Sequence, residues 1–195
     1  MHLTQRNAEE VKMEINSIQD YQNRIKDVLI TQDEIKAALK KAGKYIDSLY
    51  DGRPILLVSV LKGAFVFMAD LCREVTVPCE VDFMCVKSYF EGMSSSGLVH
   101  IIADIEKDIS KYHVVIVEDI IDTGRTLHKL VEILNNRNPI SLNIVTLLDK
   151  PDCRIADIKT DMSLFVIPDK FVIGYGLDCA EYYRTLPYIA VYGEE

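Results

Sequence analysis

Residues 114–127, VVIVEDIIDTGRTL, constrain what this chain can fold into more than any other stretch. Val114, Val115, Ile116 and Val117 are four β-branched residues in a row, the composition of a strand buried on both faces. Such a strand needs a sheet covered by helices on either side. Two acids follow, Glu118 and Asp119, then Ile120 and Ile121, then the small polar turn Asp122-Thr123-Gly124-Arg125-Thr126. From Leu127 to residue 134 apolar side chains return at helical spacing. A Gly/Thr turn between strand and helix aims several backbone N–H groups at one point, where the positive end of the helix dipole also favours an anion. Thr123 and Thr126 add hydroxyl donors, and Arg125 adds a fixed positive charge. The turn is expected to hold a phosphate.

The two acids upstream fall where open α/β sheets bind ligands, beyond the carboxyl ends of the strands. Adjacent carboxylates would repel a phosphate unless they hold something else. Sugar hydroxyls and a divalent cation suit them, since Mg²⁺ takes oxygen ligands and bridges to phosphates. The alternative is a plain strand-to-helix turn with solvated acids.

The rest of the chain fits one α/β domain of 195 residues, 49% hydrophobic and 27% charged. Thr31-Gln32-Asp33-Glu34 is a capping box, and Ile35, Ala38, Leu39, Ala42, Ile46 and Leu49 follow on one helical face. Asp51-Gly52-Arg53-Pro54 ends that helix. Residues 55–61 read as a buried strand, 64–74 as a helix, and 80–86 as a strand. Residues 87–97 form a polar, small-residue loop, with 98–103 returning as the hairpin partner. Further strands are expected at 141–148 and near 164–167, 171–173 and 189–191. Strands alternating with helices predict a mostly parallel twisted sheet flanked by helices. Residues 1–27 are expected to form an N-terminal helical extension, with Val11, Ile15, Ile18 and Ile25 on one face, ahead of a domain at 28–195.

Five cysteines, odd in number and without C-x-x-C spacing, argue against zinc and a disulfide framework and make a reducing cytoplasm the expected location. The apolar runs are too short to span a bilayer, and the polar first ten residues carry no apolar signal region. A net charge of −8 argues against a broad nucleic-acid surface.

EDIIDTGRT resembles the phosphoribosyl-pyrophosphate loop of the type I phosphoribosyltransferase family, in its hypoxanthine-guanine phosphoribosyltransferase form. The resemblance runs from about residue 28 to 192 and includes VLKGAFVFMADL (60–71), VDFMCVKSY (81–89), TLLDKP (146–151) and IPDKFVIGYGLD (167–178). It implies purine salvage: transfer of the 5-phosphoribosyl group from phosphoribosyl pyrophosphate to a 6-oxopurine, giving IMP or GMP and pyrophosphate, with Mg²⁺ as cofactor. It also implies a small hood, a mobile hairpin loop over the site, and a homodimer or homotetramer. Neither a membrane nor a nucleic acid is an expected partner. Related domains also act as nucleotide-sensing regulators that bind nucleic acid, but no appended module is visible and the purine-side motifs are kept. No G-x-G-x-x-G follows a strand, against a nicotinamide dehydrogenase.

The resemblance also assigns roles. Asp122 handles the purine proton as general base or acid, its alternative being a helix N-cap. Glu118 and Asp119 hold the ribose hydroxyls, directly or through Mg²⁺. Lys62 and Gly63, after a cis peptide bond, bind pyrophosphate together with Arg184. Thr123, Gly124, Arg125, Thr126 and Leu127 bind the phosphate. Ser88 and Tyr89 belong to the closing loop. Lys150 donates to the purine 6-oxo group, Phe171 stacks on the base, and the Val172 backbone bonds its edge; Asp178 serves the purine side and a second Mg²⁺ site. From the residues alone, Lys150 reads as a solvated loop lysine, and Phe171 reads equally as core packing. Phe90, Met93, His100 and Cys179 depart from residues common in the family.

Overall fold

The computed structural model describes residues 15–88 and 99–193. Strand β5 (His113–Ile121) contains the four-residue apolar run, with all four side chains buried. It lies in a six-stranded sheet of order β4-β3-β2-β5-β6-β7. Here β2 is Ile55–Leu61, β3 Cys79–Ser88, β4 Val99–Ala103, β6 Ser141–Asp149 and β7 Met162–Val166. Every neighbouring pair is parallel except β3 with β4. The expected parallel sheet and hairpin are both present. Lys87 and Ser88 sit on the strand rather than in the loop, paired with His100 and Val99.

Period-two alternation sends β2 and β5 side chains into two separate cores. Leu57, Val115 and Val117 pack with helices α2 (Gln32–Tyr50) and α3 (Phe65–Glu74), whereas Leu56, Val58 and Ile116 pack with α4 (Arg125–Asn135). Helix α2 starts at the expected capping box: Thr31 Oγ1 accepts from the Glu34 amide at 3.3 Å, and the Thr31 amide donates to Glu34 Oε2 at 2.8 Å. It buries Ile35, Leu39, Ala42 and Ile46 and stops at Asp51, whose backbone is left-handed.

A second, three-stranded antiparallel sheet forms the hood, in the order β1 (Ile25–Ile30), β9 (Ile189–Tyr192), β8 (Val172–Ile173). This alters the reading of the N-terminus. Helix α1 covers only Ile18–Asn23; Ile25 begins β1 opposite Tyr192, and Val11 lies outside the described residues. Strand pairing with a distant segment overrides the helical spacing of Ile25, while Ile18 keeps its place in a helix.

The chain leaves β2 toward β3 and β4 on one side, then returns through β5 toward β6 and β7 on the other. The order therefore reverses between β2 and β5, and ligands of such sheets bind beyond the carboxyl ends of the strands at that switch point. Leu61-Lys62-Gly63 ends β2 there, and Glu118 to Gly124 ends β5.

Candidate active site

Helix α4 begins at Gly124, which holds φ +75° and provides no capping side chain. A Cβ there would come within 2.6 Å of Ile158 Cγ2, so both conformation and space call for glycine. The first amides of a helix lack partners within it. No acidic side chain stands in this first turn. Leu127 turns its side chain into the core, leaving its amide for the turn. The Thr123 carbonyl is fixed from behind by the amides of Ile155 and Ala156, at 3.0 Å each. Gly124 is the N-cap, which removes that role from Asp122.

The Leu61–Lys62 peptide is cis, as the resemblance implied. Gly63 then packs so close to the acid pair that a Cβ on it would lie 1.5 Å from Asp119 Oδ2. Its carbonyl meets Gly176, which is held at φ +103° beside it. The Gly176 carbonyl accepts from Arg184 Nη1 at 2.8 Å, and that same Nη1 lies 2.8 Å from Asp178 Oδ1. Arg184 Nη2 pairs with Glu181 at 3.2 Å, and Lys62 Nζ reaches Glu181 Oε1 at 3.0 Å. Lys62, Gly63, Asp119, Asp178 and Arg184 thus come together from three separate segments: the end of β2, the end of β5 and the loop between β8 and β9.

Burial pushes the Glu118 carboxyl well above the usual range, and the charge of Asp119 adds to it. Asp119 is itself pushed up to about 6 by burial, partly offset by hydrogen bonding to the Ile120 amide and by the charge of Arg184. Glu118 Oε2 and Arg184 Nε are buried without a hydrogen-bond partner. A buried, unsatisfied carboxylate oxygen beside a second acid is a donor set that fits a hard divalent cation or a sugar hydroxyl. Among the described residues no three of His, Cys, Asp and Glu converge as a metal site. Mg²⁺ does not need such a cluster, since it is commonly held by one or two carboxylates plus substrate phosphates.

The second half of the site lies past β6. Lys150 is 1% exposed, so it is no solvated loop lysine; its Nζ stands 3.6 Å from Asp169 Oδ1. Its backbone amide donates to the Ile121 carbonyl at 2.9 Å, which ties it to the end of β5. The turn Pro151–Cys153 follows and sets the Cys153 thiol beside Asp169 and Asp122. Arg154 Nη1 donates to the Asp122 carbonyl at 3.1 Å while Nη2 pairs with Asp149. Phe171 is buried in the hood with its ring edge-on to Tyr192, and Val172 is buried on β8. Ser88 closes β3, and Tyr89 lies outside the described residues.

Asp149, Arg154, Asp169 and Glu181 were not among the residues expected from sequence, yet Arg154, Asp169 and Glu181 each pair with an expected one or with its backbone, and Asp149 holds Arg154. Their signal was present in part. Asp149 and Arg154 flank Lys150 with opposite charges, although nothing local says that they meet.

Three comparisons bear on this geometry. The family model described as a phosphoribosyl transferase domain matches residues 24–180. A hypoxanthine-guanine phosphoribosyltransferase of Streptococcus pneumoniae is 48% identical over 174 residues, covering 89% of this chain and 97% of that protein. A hypoxanthine phosphoribosyltransferase of Escherichia coli (strain K12) is 51% identical over 165 residues, covering 84% and 93%. The crystal structure of a hypoxanthine phosphoribosyltransferase from Staphylococcus aureus superposes with a TM-score of 0.86 at 44% identity, covering 92% of this chain and 97% of that one.

Proposed function

Since the chain belongs to the phosphoribosyltransferase family, we infer that it is a purine salvage enzyme carrying the 5-phosphoribosyl group from phosphoribosyl pyrophosphate to hypoxanthine or guanine, with release of pyrophosphate. The observation that carries this reading is one juxtaposition. An acid pair and a helix start without a capping side chain lie at the β2/β5 switch point, and the buried Lys150 is tied to the end of β5.

The reaction passes through a cation-like ribosyl centre while diphosphate leaves and a purine nitrogen attacks. It therefore needs positioning, neutral surroundings for the leaving group, and a group that moves a proton at the purine. In this reading the turn Thr123, Gly124, Arg125, Thr126 and Leu127 binds the 5-phosphate through backbone amides and hydroxyls. Glu118 and Asp119 hold the ribose hydroxyls, and Gly63, Lys62 and Arg184 bind the pyrophosphate, with Ser88 and Tyr89 closing over it. Glu118 and Asp119 would hold Mg²⁺ where they do not meet the hydroxyls directly, Asp178 would serve a second Mg²⁺ site, and the cation would supply charge neutralisation for the leaving diphosphate. Asp122 takes or gives the purine imidazole proton. The Lys150 ammonium donates to the 6-oxo group, which selects oxopurines over a 6-amino base. Phe171 covers the base, and Val172 bonds its edge through the backbone.

A homodimer or homotetramer belongs to the same proposal. It is supported by the part-exposed apolar side chains Val81, Phe83 and Ile102 near the β4 edge of the sheet. A cytoplasmic location is likewise proposed, on the five free cysteines. Among the described residues no helix is long and apolar enough to cross a membrane. The test is a steady-state assay with phosphoribosyl pyrophosphate and Mg²⁺ against hypoxanthine, guanine, xanthine and adenine. Turnover of an oxopurine but not adenine is expected; turnover of adenine alone overturns the Lys150 assignment.

A further inference from the structure

Tyr21 lies on α1, ahead of residue 24 where the family match begins. Its ring stacks on Tyr183, with centroids 4.2 Å apart and planes 22° from parallel. Tyr183 meets Tyr192 edge-on at 5.9 Å, and Tyr192 meets Phe171 edge-on at 5.5 Å. Four rings therefore run without a gap from the N-terminal segment to the residue that covers the base. Two hydrogen bonds pin the series: Tyr183 Oη donates to the Tyr21 carbonyl at 3.1 Å, and Arg24 Nη1 donates to Tyr192 Oη at 2.7 Å. Ile15 and Ile25 pack on the same cluster.

This cluster needs holding. Ala180, Glu181 and Tyr183 all have positive φ, with Tyr183 at +74°, a conformation that bulky side chains rarely adopt without support from their surroundings. Tyr21 supplies part of that support to the Tyr183 ring. The α1 helix that presents Tyr21 is itself fixed by Ser17, whose Oγ accepts from the Asp20 amide at 3.0 Å.

We propose that the segment ahead of the family domain, through Tyr21, positions the purine-covering wall of the hood and so sets affinity for the base. Tyr21 does not touch the base; it acts through Tyr183 and Tyr192 on Phe171. Packed rings shift between discrete arrangements rather than yielding smoothly, so loss of the first ring is felt at the last. The donor side stays in place without it. Arg184, next to Tyr183, is held by its own contacts to Asp178, the Gly176 carbonyl and Glu181. This inference rests on the reading that Phe171 covers the purine.

The experiment compares KM for hypoxanthine with KM for phosphoribosyl pyrophosphate in wild type, Tyr21→Ala, Tyr21→Phe, Ile18→Ala and Phe171→Ala, with melting temperatures alongside. Tyr21→Ala should raise the base KM by roughly two- to tenfold, the factor that one lost aromatic pair corresponds to, with the donor KM unchanged. Tyr21→Phe keeps the ring and should restore wild-type values. Ile18, exposed on the same helix, should be silent when replaced. If Phe171→Ala raises the base KM while Tyr21→Ala does not, or Tyr21→Ala raises both KM values together, the clamp is wrong. If Phe171→Ala leaves the base KM unchanged, the purine assignment fails instead. Should Tyr21→Ala not fold, Tyr21→Leu, which keeps apolar cover without the stack, is judged by the same split.

Discussion

Replacing Lys150 with Met separates what this side chain does for the fold from what it does for the purine. The ammonium is 1% exposed and its ion-pair partner, Asp169, is 59% exposed at 3.6 Å. At that distance and exposure the pair contributes little to stability, about 0–1 kcal/mol. Burying the ammonium carries a desolvation cost, and an apolar side chain of similar length in place of a buried ion is often neutral or stabilising by about 1–4 kcal/mol. Asp169, facing water, needs no new partner. The melting temperature should therefore hold or rise by a few degrees, since ~1 kcal/mol moves a domain of this size by ~2–4 °C. Function should move the other way. A hydrogen bond from a charged donor to the purine 6-oxo group is worth about 1.5–3 kcal/mol, or roughly ten- to a hundredfold in kcat/KM for hypoxanthine and guanine. Phosphoribosyl pyrophosphate affinity, measured by calorimetry, should be unchanged. Wild-type kinetics in the variant would show that Lys150 does not read the base. A melting temperature lowered by more than ~5 °C would show that the ammonium holds the fold.

Asp122→Asn should lower the single-turnover rate by roughly 10²–10⁴ with the melting temperature kept, because Gly124 and not Asp122 caps α4; a near-wild-type rate would end the catalytic assignment. Burial holds the Asp119 carboxyl at about 6, above its ordinary value near 4, so the folded chain keeps that proton and loses this contribution to stability as pH rises through 6. Asp119→Asn should therefore raise the melting temperature at neutral pH, flatten the profile between about pH 4 and 6, and weaken donor binding; a lower melting temperature at neutral pH refutes the sign. Burial, a hydrogen bond to Asp169 and the charge of Asp122 push the Cys153 thiol to about 11. Iodoacetamide labelling mapped by mass spectrometry should thus be slow at neutral pH, and an alkylation midpoint near ~8.5 would place the thiol away from both carboxylates.

The parts of this molecule that were legible in sequence are those whose determinants lie within a few residues of each other. The run at 114–117, the capping box at Thr31 and the anion turn after Asp122 declare themselves because periodicity, caps and turn residues act locally. Other features depend on partners remote in sequence. Ile25 fits a helical face on spacing, yet it pairs with Tyr192 in a strand. Lys150 reads as solvated on residue type, and only its meeting with Asp169 and the end of β5 shows it buried. Gly63 is legible as a turn residue, but the reason no side chain fits there is Asp119, contributed by β5, a strand remote from it in chain order.

That division follows the construction of the site itself. Each motif supplies chemistry on its own: amides at α4, carboxylates at the end of β5, an ammonium past β6. What makes them one site is the strand order, because the reversal between β2 and β5 puts Gly63 against Asp119, and the β5–β6 pairing carries Lys150 to Ile121. A change to any one motif is thus expected to alter one substrate's binding or one step. A change to the seam, such as Gly63→Ala, forces Asp119 from its place and disturbs the acid pair directly. The burial that raises the carboxyl groups of Glu118 and Asp119 is produced by the same seam. The fold therefore holds acids that it would be more stable without, at the position proposed for the ribose and the polyphosphate.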